Sequence, residues 1–355
     1  MKTLRWTLPL AAAAALAGPP VRYVGKTVYL NGAVAAVTHT FDDSHTAVLS
    51  TLDALDRYGV KATAFVSTER KPIEQLWPRL NKAIADGHEV GSHSRRHQCK
   101  WPDTEEICRQ FYDDYEVAGS RDDILKNTKQ PYVWSWCYPC GNCANYEFAW
   151  KKLAEHGYIA ARNYPGEEQD LHNVPNLMTW ADNPLNSAYT QVVQKKGGIA
   201  KSGRTDVAEL NAKFDEVYAR GGIYHFLSHP AWLDFGPDSF YELHLSYISR
   251  RPDVWYVPFG PLHAYRRLRE STEVRELGEG RFTVLSNLDP KVYSGSVTLE
   301  FRADTNTRVL YGRRELKQAK RGETPGWDAE FVRADGDRTL VTIRPGRAAT
   351  TLEFR

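Results

Sequence analysis

The chain has 355 residues, with 46 Lys plus Arg against 44 Asp plus Glu and a formal net charge of +2; 42% is hydrophobic and 25% charged. These values exclude a disordered, collagenous or coiled-coil chain. The near balance of charge argues against a dedicated nucleic-acid binder, which carries a basic excess.

The N-terminus reads as a processing signal. Lys2 and Arg5 precede an apolar run from Trp6 to Ala17, too short to span a bilayer as a helix. Ala15-Leu16-Ala17 is an A-x-A-like cleavage site, followed by Gly18-Pro19-Pro20. Residues 1–17 are therefore expected to be a secretory signal peptide, with a membrane-tethered anchor as the alternative, and the protein periplasmic or extracellular. Cleavage removes Lys2 and Arg5 and no acid, which leaves 44 basic against 44 acidic residues. No later stretch is apolar enough to be an integral membrane segment.

From Val21 to Arg269 strand and helix signals alternate. Ala33 to Thr40 is a continuous apolar run of strand length, suited to burial on both faces. Leu49, Leu52, Leu55 and Tyr58 recur at helical spacing, and Gly59 ends that helix. Val60 to Val66 reads as a strand, Ile73 to Ala85 as a helix stopped by Gly87, and His88 to Gly91 as the third strand. A long polar helix is predicted over Asp103 to Lys126. A strand at Tyr132 to Trp136, a helix from Tyr146 to Glu155 and a strand at Tyr158 to Ala161 follow. Asn163 to Lys201, rich in Asn, Pro and Gly, reads as loops. A helix over Val207 to Ala219 leads to strands at Gly222 to Ser228 and Val254 to Val257. Repeated βα units imply a parallel sheet with right-handed crossovers.

After Arg269 the pattern changes to short strands at Arg281 to Ser286, Ser296 to Phe301, Thr307 to Tyr311, Trp327 to Val332 and Thr339 to Ile343. Turn signals such as Asp289-Pro290 and Asp335-Gly336-Asp337 separate them. The expected organisation is an α/β domain over 21–269 and a small all-β sandwich over 270–355.

Three segments sit at the C-terminal ends of predicted parallel strands, where catalytic groups of such sheets collect. They are Thr40-Phe41-Asp42-Asp43, Ser92-His93-Ser94-Arg95-Arg96-His97 and Leu227-Ser228-His229-Pro230. Adjacent carboxylates at a buried strand end are costly unless a cation or proton compensates them. Two His four apart can converge on one ion in a tight loop. One Asp with two His forms a three-ligand set that leaves a position open for water. Singly, each piece is more often a helix cap or a surface histidine pair; together they point to a metal site.

These motifs resemble those of the polysaccharide deacetylase, or NodB-homology, family, also called carbohydrate esterase family 4. The family's TFDD stands as Thr40-Phe41-Asp42-Asp43, its HSxxH as His93-Ser94-Arg95-Arg96-His97, and its Leu-x-His as Leu227-Ser228-His229. The resemblance covers about residues 30 to 268. It implies a distorted (β/α) barrel and a metal-dependent hydrolase that removes acetyl groups, N- or O-linked, from a polysaccharide or oligosaccharide. Asp43, His93 and His97 would hold a divalent ion, zinc first, with cobalt or nickel as alternatives. Asp42 would be the general base and His229 the general acid.

The third family motif is altered. Cys137-Tyr138-Pro139-Cys140-Gly141 has Cys137 where the family carries Arg. Tyr138 and Cys140 are still expected at the oxyanion or substrate, with the N–H of Cys140 the first donor after Pro139. Without the arginine, Asp42 needs another cation. Arg162, at the end of the next strand, is the candidate. The fourth motif is poorly matched, with Trp180-Ala181-Asp182 the nearest segment. Trp232 is a candidate sugar-binding wall.

Cys99, Cys108, Cys137, Cys140 and Cys143 leave an odd thiol. The CxxCxxC run admits an iron–sulfur or second zinc site, but an exported chain favours disulfides. At least one is expected to join Cys99 or Cys108 to the later three. The functional expectation is an exported carbohydrate deacetylase. Its alternatives are a metal-dependent amidase or deformylase on another substrate, and a catalytically weakened carbohydrate-binding protein.

Overall fold

The computed structural model describes residues 21–99, 101–163, 189–193, 203–303, 307–320, 323 and 326–355. The expected signal peptide and the Trp180-Ala181-Asp182 segment lie outside them.

A parallel sheet dominates the first part of the chain. Its strands are β2 (Ala35–Asp42), β3 (Ala62–Val66), β4 (Glu89–Ser92), β5 (Ser135–Cys137), β6 (Ala160–Arg162), β7 (Tyr189–Val193), β8 (Ile223–Ser228) and β9 (Val254–Tyr256). In space the order is β6-β5-β4-β3-β2-β8-β7, with β9 beside the start of β2. Every residue of β2 is buried, polar Thr38, His39, Thr40 and Asp42 included, as in a strand covered on both faces. The chain steps outward from β2 through β6, then returns to the far side of β2. Every pairing is parallel, and β6 and β7 do not pair among the described residues. This is the expected distorted (β/α) barrel, open on one side.

Helices α1 (Val48–Tyr58) and α2 (Ile73–Ala85) pack on the sheet through Leu52, Leu55, Leu76 and Leu80. Gly59, at φ 69°, ends α1 in the left-handed conformation that glycine adopts without strain. The long helix expected over Asp103 to Lys126 is two helices, α3 (Glu105–Phe111) and α4 (Val117–Asn127). Local capping explains the break: Asp113 Oδ1 accepts the N–H of Glu116 at 2.9 Å and offers the backbone an alternative to a continuous helix. Helices α5 (Glu147–Glu155), α6 (Gly203–Ala219), α7 (Phe240–Ile248) and α8 (Phe259–Ser271) complete the layer.

Two readings from the pattern need correction here. Strand β7 lies inside the stretch read as loops; its Tyr-Thr-Gln-Val-Val run has strand composition that the surrounding Asn, Pro and Gly masked. Strand β6 begins at Ala160 rather than Tyr158, and Arg162 ends it.

The C-terminal part forms two antiparallel sheets. One is ordered β10 (Thr272–Gly278), β11 (Arg281–Ser286), β17 (Thr350–Phe354), β13 (Val309–Tyr311), β14 (Arg314–Glu315). The other is β1 (Arg22–Lys26), β12 (Val297–Arg302), β16 (Arg338–Ile343), β15 (Phe331–Asp335). Phe282, Phe301 and Phe354 meet between them, with ring centroids 4.7–6.0 Å apart. Strand β1 precedes the barrel in sequence yet pairs with β12, and Tyr23 packs on Phe301 at 5.3 Å. The barrel and sandwich are joined by Trp134 Nε1, which donates to Val292 O at 2.7 Å, and by Tyr265 and Arg269, which donate to Thr27 O.

Candidate active site

Asp42 closes β2, His93 follows β4, His229 follows β8, and Cys137 and Arg162 close β5 and β6. The parallel register therefore delivers five chemically active side chains to one end of the sheet. Asp43, Ser94 and His97 all take positive φ values, 75°, 63° and 52°. Strained backbone of this kind concentrates where side chains must be aimed.

The loop from Ser92 to His97 folds around Ser94. Its hydroxyl accepts the N–H of His97 at 2.9 Å, which turns the chain so that the His93 and His97 rings lie 4.6 Å apart. Glu116 accepts the N–H groups of Arg95 and Arg96 and holds the loop from outside. His93 Nδ1 is hydrogen-bonded to the carbonyl of Cys137 at 2.9 Å. A carbonyl only accepts, so Nδ1 carries the proton and Nε2 keeps its lone pair.

Asp43 Oδ1 lies 3.3 Å from His97 Nε2 and 4.0 Å from His93 Nε2; Asp43 Oδ2 lies 4.0 Å from His229 Nε2. One ligand atom from each of Asp43, His93 and His97 falls within 4.8 Å of the others. Asp43 Oδ1 is buried and accepts no hydrogen bond. A carboxylate oxygen without a donor, facing two imidazole nitrogens, fits a divalent cation by donor chemistry. Burial holds all three histidines below the ordinary imidazole range, with His93 brought down to about 4 by burial and the charge of His97, against the pull of Asp42 and Asp43. At neutral pH these rings are uncharged, the form that binds a metal.

Asp42 is fully buried. Burial raises its pKa, but Arg162, with His93 and His229, more than offsets this and holds the carboxyl below its usual range. The guanidinium of Arg162 donates from Nη2 to Asp42 Oδ1 and lies 2.9 Å from Cys137 Sγ. Cys137 and Arg162 are directly paired across β5 and β6. An arginine on the second strand thus reaches the place expected for one on the first. Arg162 is itself fully buried, over the ring of Phe65 at 5.2 Å.

Disulfides Cys99–Cys140 and Cys108–Cys143 tie the loop after β4 and helix α3, respectively, to the loop after β5. Cys137 is the free, buried thiol. Two of the three sulfurs of the CxxCxxC run, those of Cys140 and Cys143, are thereby taken up in disulfides.

The acidic and imidazole groups line a cavity of about 880 Å³, together with Cys140, Gly141, Trp101, Trp232 and the pair Arg70 and Lys71. The Trp232 ring lies tilted by 31° against that of His229, with centroids 3.8 Å apart. Tyr138 does not reach the cavity. Its side chain is fully buried beside Tyr112, and its N–H is donated to Arg162 O. The tyrosine alternates inward from the strand end and packs the core, which corrects its expected place at the substrate. Trp101, Arg70 and Lys71 were not singled out from sequence. The rule that βα loops at the C-terminal strand ends form the site would have pointed to Arg70 and Lys71, in the loop after β3.

The polysaccharide deacetylase family model matches residues 31–161, which contain both the Asp-Asp and the His-x-x-x-His segments. Over residues 31–161 the chain is thus similar to the polysaccharide deacetylase family. Among solved structures the chain is similar to a putative polysaccharide deacetylase from Mycobacterium smegmatis, at 15% identity and TM-score 0.47, covering 72% of this chain and 96% of that one. It is also similar to a family 4 carbohydrate esterase from Streptomyces lividans in complex with acetate, at 15% identity and TM-score 0.39, covering 60% and 86%. The polysaccharide deacetylase Bc1974 from Bacillus cereus is similar at 16% identity and TM-score 0.40, covering 63% and 91%. No curated protein matches the chain. Among the described residues no helix is long and apolar enough to cross a membrane.

Proposed function

We propose that the chain is an exported, metal-dependent carbohydrate deacetylase that hydrolyses N- or O-linked acetyl groups of a polysaccharide or oligosaccharide. The observation that carries this reading is the meeting of Asp42, Asp43, His93, His97 and His229 in one cavity large enough for a sugar unit. Asp43, His93 and His97 would hold the ion, zinc by preference. When bound, such an ion lowers the pKa of water to about 7 and polarises a carbonyl.

The chain's own residues supply the proton handling. Asp42 would accept the proton of the attacking water, and Arg162 keeps that carboxyl ionised in its buried position. His229, neutral at rest and facing Asp43, would take up the proton that Asp42 removes from the water and pass it to the leaving nitrogen or oxygen, returning to its neutral form. The backbone N–H of Cys140 would face the oxyanion, and Trp232 would form a wall for the sugar ring. Two disulfides and the signal-like N-terminus support export.

Acetate release tests the reading. The zinc-loaded protein should release acetate from at least one of chitin oligomers, peptidoglycan and acetylated xylan, and chelation should stop it. Loss of a formyl or other acyl group from small amides, with no acetate from any glycan, would place the same site in the amidase class instead.

A further inference from the structure

We propose that the mouth of this cavity selects an acidic glycan, with the face of a sugar ring on Trp101 and a sugar carboxylate against Arg70 and Lys71. This rests on the deacetylase reading and adds the class of glycan.

Trp101 is 73% exposed while lining the cavity, an unusual position for an indole in water. It sits two residues after Cys99, whose disulfide to Cys140 anchors that lip. A flat indole offers the C–H face of a pyranose the apolar contact that water does not.

Arg70 and Lys71 are consecutive and exposed, in the loop beyond β3. Arg70 Nη1 stands 3.6 Å from Asp43 Oδ1, which places it beside the reacting groups. Lys71 has no ion-pair or hydrogen-bond partner among the described residues. Of the nearby acids, Asp43 lies within ion-pair distance of Arg70, and none lies within that distance of Lys71 among the described residues. Asp42 is held by Arg162, and Asp43 faces the histidine cluster. Asp103 accepts the N–H of Cys143 at 3.1 and 3.2 Å. Glu69, the preceding residue in the loop, is turned to Tyr115 and Arg95. The two cations share the cavity with Asp42, Asp43 and Asp103; Asp42 is matched by Arg162 and Asp43 lies beside Arg70, so Lys71 is the cation here that no carboxylate pairs among the described residues, and such a charge attracts ligands of the opposite sign. The chain as a whole is nearly neutral, so the preference is local to this mouth.

The test is calorimetric binding of oligogalacturonate and xylo-oligosaccharide of equal length, at low and high salt. Their acetylated forms are assayed in parallel for acetate. Oligogalacturonate should bind at least about tenfold tighter at low salt, and the ratio should shrink as salt rises. The Arg70→Gln, Lys71→Gln double variant should bring the ratio close to one while zinc content is retained. Lys71→Gln alone should lower the ratio, should the double variant fold poorly. Trp101→Ala should weaken both ligands. Equal affinity for the two sugars, or a ratio unchanged in the Lys71 variant, overturns the proposal. Acetate release with equal affinities removes this inference alone. Preferential oligogalacturonate binding without acetate release from any glycan supports the charged mouth and removes the deacetylase reading.

Discussion

Arg162 donates from Nη2 to Asp42 Oδ1 across 120 residues of sequence, with both side chains fully buried. The contact depends on register. Cys137 and Arg162 are paired on neighbouring parallel strands, so the arginine approaches from β6 and the small thiol beside it leaves room. A buried carboxylate without such a partner tends to take up a proton, and a protonated Asp42 cannot act as a base.

Arg162→Ala should therefore keep the metal but lose roughly 10²-fold or more in kcat/KM, because removing one partner of a buried charged pair costs about 2–5 kcal/mol. Adding Cys137→Arg to that variant should recover part of the loss, since the paired position points to the same carboxylate. A purely structural role for Arg162 predicts no such recovery. Steady-state kinetics on the single and double variants, with zinc measured in each, separates the two.

The ligand set makes a second prediction. His93→Ala and His97→Ala should each lose stoichiometric zinc, because a three-ligand site has no spare protein donor. Asp42→Asn should retain zinc and lose roughly 10²–10⁴-fold in rate. Elemental analysis of the purified variants checks this before any assay. Zinc retained in the His97 variant would remove that residue from the set.

Much of this geometry was legible in the sequence. The Asp42-Asp43 and His93-to-His97 segments stand at strand ends because continuous apolar runs mark the strands and glycines mark the helix stops. What stayed hidden depends on distant chain. Strand β1 gives little local signal, and its partner β12 lies near the other end of the sequence. The break between α3 and α4 is set by one aspartate side chain capping the backbone, which helical periodicity does not report. Tyr138 lay within the right motif, but whether its ring faced cavity or core depended on Tyr112 and the packing behind β5. Trp101 was visible as a residue, and only the folded loop shows its ring exposed at the cavity.

The cross-links carry a third prediction. Non-reducing peptide mapping should recover Cys99–Cys140 and Cys108–Cys143, with Cys137 as the one free thiol. Each closed loop stabilises the fold by about 3–4 kcal/mol in the chain-entropy model. Replacing the Cys108 and Cys143 pair by alanines should lower the unfolding midpoint while Cys99–Cys140 still pins the cavity lip. A different pairing in the map would contradict the arrangement of these loops.

Stability should fall in acid through histidines remote from the cavity. His244 is fully buried, hydrogen-bonded to Tyr224 at 3.0 Å and Asn211 at 2.7 Å, and burial brings its pKa down to about 3. Its folded pKa lies below the unfolded value near 6.5, so the unfolded chain binds the proton first as pH drops. The contribution of this neutral histidine is complete above about pH 6.5 and is lost progressively down to about pH 3. Urea unfolding at pH 7.5 and 5.5 should show a loss, of which about 1 kcal/mol disappears from the difference in His244→Gln. An identical pH dependence in the variant would show that this ring does not titrate on unfolding.

The most direct measurement of the central claim is acetate release by the purified protein on acetylated glycans, taken as isolated, after chelation, and after zinc is returned. Release that stops on chelation, returns with zinc and is absent from Asp42→Asn is the expected result. Full activity in a metal-free sample, or wild-type turnover by the Asp42→Asn variant, would contradict it.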